Sequence, residues 1–404
     1  MKYAVILGDG MADWKIDELG GKTCLEAAET PVLDGLAPES EIGLCKTVPD
    51  GLKPGSDVAN MSVLGFDPNR FYTGRSPLEA VSMGISLDAS DVTLRCNLVT
   101  LSDDEPYENK IMKDYSAGEI TTDEAGELIE YLKRKLDLKG LKLYAGISYR
   151  HCMVAENGVK GHALTPPHDI SDKRITEHLP KGANADVYLN LMKESYALLK
   201  NHPVNIKRKN AGKNPANSIW LWGEGTKPAL ENFEKLHSLK GGIISAVDLV
   251  KGIGMLADMK IIDVKGATGD YKTDFSGKAD AAANELLNGL DFVYIHMEAP
   301  DECGHHGDFK NKIYSIEQID KKVVKRLTDR LSAAKEDYAI LVCPDHPTPC
   351  ACKTHTSDPI PYLLYTNKYS LGVGAKRYTE AEAQKSGIFV KDGYTLIEKL
   401  FAIK

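Results

Sequence analysis

The sequence predicts an α/β fold: a doubly wound sheet with helices on both faces and a smaller α+β domain inserted into it. Three observations predict this. Short apolar runs end abruptly at glycine or at polar residues, helical patterns separate them, and the texture of the chain changes through its middle third.

Taken in order, residues 3–7 (Tyr-Ala-Val-Ile-Leu) form a short apolar run that stops at Gly8-Asp9-Gly10, as a buried parallel strand would. Pro54-Gly55 makes a turn, Ser56 stands where a helix would begin, and Gly65 ends that helix. From about 98 to 215 the pattern differs. Acidic turns (102–108) lead to an amphipathic helix (122–136), a strand-like 142–147, a polar loop (162–174) and a second helix (185–199). The basic run 207–213 reads as a linker back to the main sheet. Residues 98–215 are therefore expected to form the inserted domain, and 1–97 with 216–404 the main one. Further apolar runs at 219–222, 243–246, 260–264, 292–297 and 339–343 read as strands of the main sheet. Helical patterns at 279–287 and 314–331 lie between them. In the latter, Ile316, Ile319, Val323, Val324 and Leu327 share a face. Active sites of such sheets gather beyond the carboxyl ends of the strands.

Composition narrows the function. The chain has 404 residues and a formal net charge of -8, which argues against a nucleic-acid binder, since that task needs a basic surface. An acidic molecule still accommodates an anionic substrate where metals make the pocket positive. The N-terminal apolar run is too short for a secretory signal, and no stretch approaches a bilayer span, so no membrane partner is expected. Eight scattered cysteines read as reduced thiols, and the expected location is the cytoplasm. Cys350 and Cys352 form a lone C-x-C, which reads as a loop pair rather than a zinc site.

Three segments end an apolar strand with residues of metal-ligand type. The first carries Asp9, the second Asp301 and His305, and the third Asp345 and His346, followed by His355. Singly, each has a structural explanation, as a turn, a helix cap or a polar strand end. Together they are harder to dismiss. Four of the eleven histidines fall between His305 and His355, and imidazole with carboxylate suits zinc or manganese. Ser56 is a good N-cap, but a helix N-terminus also offers free N–H groups to a phosphate, and a serine beside a divalent cation becomes a nucleophile. Two decoys fail. Gly20-Gly21-Lys22-Thr23 ends like a P-loop, but Ile16 stands where its first glycine is required; Gly8-Asp9-Gly10 lacks the rest of a dinucleotide fingerprint. There is no G-x-S-x-G elbow.

In order, Asp9-Gly10, Gly55-Ser56, Pro300-Asp301-x-x-Gly304-His305, Asp345-His346 and His355-Thr356-x-x-Pro359-x-Pro361 resemble the alkaline phosphatase superfamily. More narrowly, the chain is similar to the archaeal-type, cofactor-independent phosphoglycerate mutases. Asp67-Pro68, Tyr72 to Ala80, Arg95-Cys96-Asn97, Tyr149-Arg150-His151, Gly266 to Gly269 and Ile316 to Asp320 extend that likeness over nearly the whole chain. The resemblance implies an alkaline-phosphatase-like sheet and two divalent cations, Mn2+ or Zn2+. Asp301, His305 and His355 would hold one, and Asp9, Asp345, His346 and Ser56 the other. Ser56 would be the nucleophile that carries the phosphoryl group. The implied activity is interconversion of 3- and 2-phosphoglycerate, a glycolytic step, without free 2,3-bisphosphoglycerate. Arg150 and His151 would close over a small phosphorylated substrate. A monomer or small homo-oligomer is expected.

Two segments depart from the mutase pattern. Lys113 to Glu119 lacks the arginines that follow the aspartate, and Trp222 occupies an arginine position in Leu221 to Gly225. These losses of positive charge leave a homoserine kinase-like phosphotransferase as an alternative. An inactive metal-binding scaffold is the alternative of another class.

Overall fold

The computed structural model describes all residues from Met1 to Lys404. They form two compact units, one of Met1–Tyr72 with Ala229–Lys404 and one of Thr73–Pro228. The inserted unit is thus longer at both ends than the expected 98–215. The strand Val92–Leu101 runs through position 97 and pairs with Arg150–Ala155 and Ser218–Thr226, so a boundary at 97 or 215 would cut into one sheet. For the same reason the run at 219–222 is a strand of the inserted unit and not of the main sheet.

The larger unit holds an eight-stranded sheet. Its order is Phe389–Val390, Glu41–Cys45, Ile360–Thr366, Tyr338–Cys343, Lys2–Gly8, Phe292–Met297, Gly241–Ile244, Lys260–Ile261. The last five are mutually parallel. Ile360–Thr366 runs antiparallel to both its neighbours. Phe292–Met297 and Tyr338–Cys343 are buried along their whole length, which accounts for unbroken apolar sequence where an exposed sheet would alternate. Ile6, Val293, Ile295 and Val342 share a core with Ala279 and Ala283 of the helix Phe275–Leu287.

The helix expected over 314–331 is interrupted. Phe309–Gln318 passes through a π turn, Ile319–Val324, into Lys325–Ala333. Asp320 in that turn accepts the Leu33 and Val32 N–H groups at 2.7 and 3.2 Å, and so caps the helix Pro31–Leu36. The predicted apolar face is nonetheless buried throughout.

Register is what positions the site. Gly8 lies opposite Met297 and Leu7 opposite Cys343, so three neighbouring parallel strands end level with one another. Asp9, the segment leading to Asp301, and Asp345-His346 leave the sheet side by side.

In the smaller unit Val92–Leu101 is antiparallel to Met112–Asp114, Arg150–Ala155 and Ser218–Thr226, and Leu141–Tyr144 completes the sheet. The helices Thr122–Lys135 and Ala185–Leu199 bury Leu128, Leu132, Leu191 and Met192 against it. The basic run is no linker. Pro203–Asn210 is a helix, and buried Arg208 bonds Glu124 Oε2 and the Ala117 carbonyl, both at 2.6 Å. No helix is long and apolar enough to cross a membrane.

Candidate active site

Asp9 follows the central strand directly and is almost fully buried. Its Oδ2 accepts from His296 Nε2 at 2.9 Å, while its Oδ1 has no hydrogen-bond partner. Burial, then the neighbouring Asp345 and Asp301 charges, raises its carboxyl well above the usual range. His296 is held neutral, its pKa pushed down to about 3 by burial, so Nε2–H donates to Asp9.

Asp345 is gripped from two sides. Its Oδ1 accepts the backbone N–H of Gly10 at 3.1 Å and of His346 at 2.8 Å, and its Oδ2 accepts from Asn60 Nδ2 at 2.8 Å. Asn60 in turn accepts the buried Tyr294 hydroxyl at 2.7 Å. Gly10 has φ +61°, and a Cβ there would lie 2.6 Å from both Asp301 Oδ1 and Thr348 Oγ1. Only glycine lets these loops close together.

Asp301 and His305 lie one turn apart on the helix Ala299–His306, a spacing that turns both side chains the same way. Asp301 Oδ2 is 3.3 Å from His305 Nε2, its Oδ1 is 3.5 Å from His355 Nε2, and the two histidine Nε2 atoms are 2.9 Å apart. A carbonyl only accepts, so the 3.0 Å contact of His305 Nδ1 with Lys353 O puts the proton on Nδ1 and frees Nε2. Thr348 does the same for His346. Its hydroxyl donates to Asp301 Oδ1 and therefore accepts from His346 Nδ1 at 3.3 Å, which leaves His346 Nε2 facing Asp9 and Asp345.

Ser56 is the first residue of the helix Ser56–Val63, and its Oγ lies 3.2 Å from His346 Nε2. The seven expected residues are thus brought together. The groups Asp9/Asp345/His346 and Asp301/His346/His355 each place three donor atoms within 4.8 Å of one another. His346 belongs to both, which the sequence did not suggest.

These donors fit divalent cations. Asp9 Oδ1 is a buried carboxylate oxygen without a donor, and three carboxylates face one another with free imidazole nitrogens among them. The field draws positive charge. Burial alone would lower His305, but its hydrogen bond to Asp301 and the Asp301 charge outweigh it and push the imidazole up to about 9. A cation would take the place of that proton.

Arg150 and His151 do not share a face. They are consecutive in the strand Arg150–Ala155 and point to opposite faces of the sheet. Arg150 is exposed, its guanidinium 5.4 Å from the Tyr149 ring. On its face Glu79 binds Arg75 at 2.8 Å and Arg95 at 2.7 Å, and Arg95 stacks 4.2 Å from the Trp222 ring. His151 is buried on the other face. Its Nδ1 accepts the Gly146 N–H at 3.0 Å and burial lowers it to about 3. Sequence reasoning passed over His296, Asn60 and Thr348. Their signals were present: His296 ends an apolar strand, Asn60 lies one turn after Ser56, and Thr348 follows the Asp345-His346 pair.

Carboxylate and imidazole donors gathered at the tips of a parallel sheet, beside a serine at a helix N-terminus, are the parts of a phosphotransferase site. Residues 37–205 match the family described as 2,3-bisphosphoglycerate-independent phosphoglycerate mutase. A protein of that name from Methanosarcina barkeri is 48% identical over 100% of both chains. One from Geobacter sulfurreducens, named as probable, is 48% identical over 99% of both. A Pyrococcus horikoshii protein of solved structure shares the fold at TM-score 0.82 and 28% identity, covering 99% of this chain and 96% of its own. The cofactor-independent phosphoglycerate mutase of Thermoplasma acidophilum shares it at TM-score 0.65 and 23% identity, with 100% of both chains covered. The chain belongs to the 2,3-bisphosphoglycerate-independent phosphoglycerate mutase family, and it is an enzyme.

Proposed function

We propose that this enzyme interconverts 3-phosphoglycerate and 2-phosphoglycerate by passing the phosphoryl group through Ser56, without free 2,3-bisphosphoglycerate. The observation that carries the reading is Ser56 Oγ at 3.2 Å from His346 Nε2, among the convergent carboxylates and imidazoles. Asp301, His305 and His355 would hold one divalent cation, and Asp9, Asp345 and His346 with Ser56 a second. Mixed nitrogen and oxygen donors suit Mn2+ or Zn2+. Such cations, when bound, neutralise phosphoryl oxygens and ease loss of the serine proton.

The chain's own groups supply the rest. Ser56 Oγ forms the new bond to phosphorus as the ester bond to the glycerate oxygen breaks, and that oxygen takes up a proton. The helix that starts at Ser56 directs free N–H groups and its positive end toward the phosphoryl group. After the glycerate turns, its other hydroxyl attacks phosphoserine and Ser56 regains its proton. Arg150 is our candidate for the substrate's anionic end, since a guanidinium pairs bidentately with carboxylate or phosphate. The cytoplasm is the location such an enzyme would occupy.

The test is to load chelator-stripped protein with Mn2+ or Zn2+, supply 3-phosphoglycerate, and follow 2-phosphoglycerate by phosphorus NMR. Acid quenching would trap phosphoserine in the native chain and none in Ser56→Ala. Homoserine with ATP is run alongside. O-phosphohomoserine without 2-phosphoglycerate would reassign the substrate.

A further inference from the structure

Lys312 is a fully buried lysine outside the donor set. It lies on the helix Phe309–Gln318, which follows the helix carrying Asp301 and His305. Its ammonium donates to Asp13 Oδ2 at 2.8 Å, to the Thr348 carbonyl at 2.8 Å and to the Ala12 carbonyl at 3.2 Å. All three hydrogens are used. The Asp13 carboxylate, buried with it, also accepts the N–H groups of Trp14 at 2.8 Å and Cys350 at 3.2 Å, and the Cys24 thiol at 3.4 Å.

The partners come from two other segments. Ala12 and Asp13 follow Asp9 at the end of the first strand, and Thr348 and Cys350 lie between His346 and His355. One ammonium therefore joins the three stretches of chain that carry the proposed cation ligands. Its path to the donors is short, because the residue whose carbonyl it holds, Thr348, places its hydroxyl between Asp301 Oδ1 and His346 Nδ1. The loops also meet directly, Thr348 N–H on Ala12 O at 3.3 Å. Stability alone does not explain such a pair. A buried ion pair repays its desolvation poorly, and apolar residues of similar volume often serve the fold as well or better.

We propose that Lys312 and Asp13 are positioning residues, an internal ion pair that fixes the three ligand-bearing loops so that the cation site is preformed. The proposal rests on the reading of Asp9, Asp301, His305, Asp345, His346 and His355 as cation ligands. It predicts that removing the pair costs metal affinity even where stability is restored.

The test compares the native chain with Lys312→Met, Asp13→Asn and the double variant. Three readouts are used: Mn2+ affinity by competition with a fluorescent chelator, the visible absorption of bound Co2+, and the thermal midpoint without metal. Lys312→Met leaves Asp13 buried and uncompensated, so its midpoint falls, and the double variant recovers most of that loss. The double variant is expected to bind Mn2+ at least tenfold more weakly than the native chain and to show altered Co2+ bands. Asp13→Asn, the mildest change, is expected to lose about threefold, and it carries the test if Lys312→Met does not fold. Folded variants whose Mn2+ affinity stays within twofold of native, with unchanged Co2+ bands, would overturn the proposal and leave the ligand reading intact. A native chain that takes up no Mn2+ would overturn both.

Discussion

The two units arrange their charged groups differently. In the larger one, seven side chains from four stretches of sequence meet because three parallel strands end in register and a helix starts beside them. Asp9, Asp301, Asp345 and His346 are buried, His305 and His355 half-buried, and most are held by a second group: His296 on Asp9, Asn60 on Asp345, Thr348 on His346, Lys353 O on His305. In the smaller unit the charged groups stand on one face of an antiparallel sheet. Glu79 already neutralises part of the Arg75 and Arg95 charge, and Arg150 reaches into solvent. The first arrangement suits a fixed constellation of ions and a nucleophile. In the proposed reading, the second meets the substrate's anionic end.

If that contrast is correct, the largest effect belongs to the nucleophile. Ser56→Ala is expected to lower turnover by about 10^4-fold or more, as nucleophile removal does in covalent enzymes. Mutase assays and acid-quench phosphoserine analysis would measure it.

Proton competition sharpens the same side of the comparison. With His305 pushed up to about 9, a cation must displace its proton at neutral pH. Affinity for Mn2+ should therefore rise with pH by about tenfold per unit from 7 toward 9, then level off. Chelator competition across that range is the measurement. Thr348→Val removes the hydroxyl that orients His346 and should weaken cation binding by about 10- to 100-fold, the usual range for such supporting contacts.

On the other side, Arg150→Ala should raise KM by about tenfold with kcat little changed, the signature of lost ground-state binding. An unchanged KM would remove Arg150 from substrate contact. The smallest kinetic effect is expected at His151, where a Gln substitution should leave KM alone and act on acid stability. Folded His151 stays neutral to about 3, whereas the unfolded imidazole takes a proton near 6.5. The unfolded state binds more protons in that window, so stability falls as pH drops from about 6.5 toward 3. His151→Gln should make the fall less steep in urea unfolding series, with His296 contributing to what remains.

The contrast also explains what was legible in the sequence. Donors at strand tips were readable because an apolar run followed by aspartate or histidine fixes both the element and the end from which the side chain emerges. Asp9, Asp301 and Asp345 all follow that rule. The sharing of His346 was not readable, because it depends on how far loops fold back over the sheet. The resemblance offers Arg150 and His151 together, but strand alternation sends neighbouring side chains to opposite faces, and only the strand Arg150–Ala155 reveals it. The boundaries differ because the strand Val92–Leu101, where apolar residues alternate with Thr93, Arg95 and Asn97, gives no sign of which sheet it joins. The basic run 207–213 misled because Arg208 finds its partner, Glu124, 84 residues away in sequence. Lys312 carried no signal, since a lysine on a helix is ordinarily exposed.

Whether the strand-tip donors hold two ions beside Ser56 decides the chemistry of the site. Anomalous diffraction at the manganese edge, from crystals grown with Mn2+, tests this most directly. Two peaks are predicted, one bonded by Asp301, His305 and His355, the other by Asp9, Asp345 and His346 with Ser56 Oγ against it. A single peak, or peaks away from these side chains, would rule out a two-cation site.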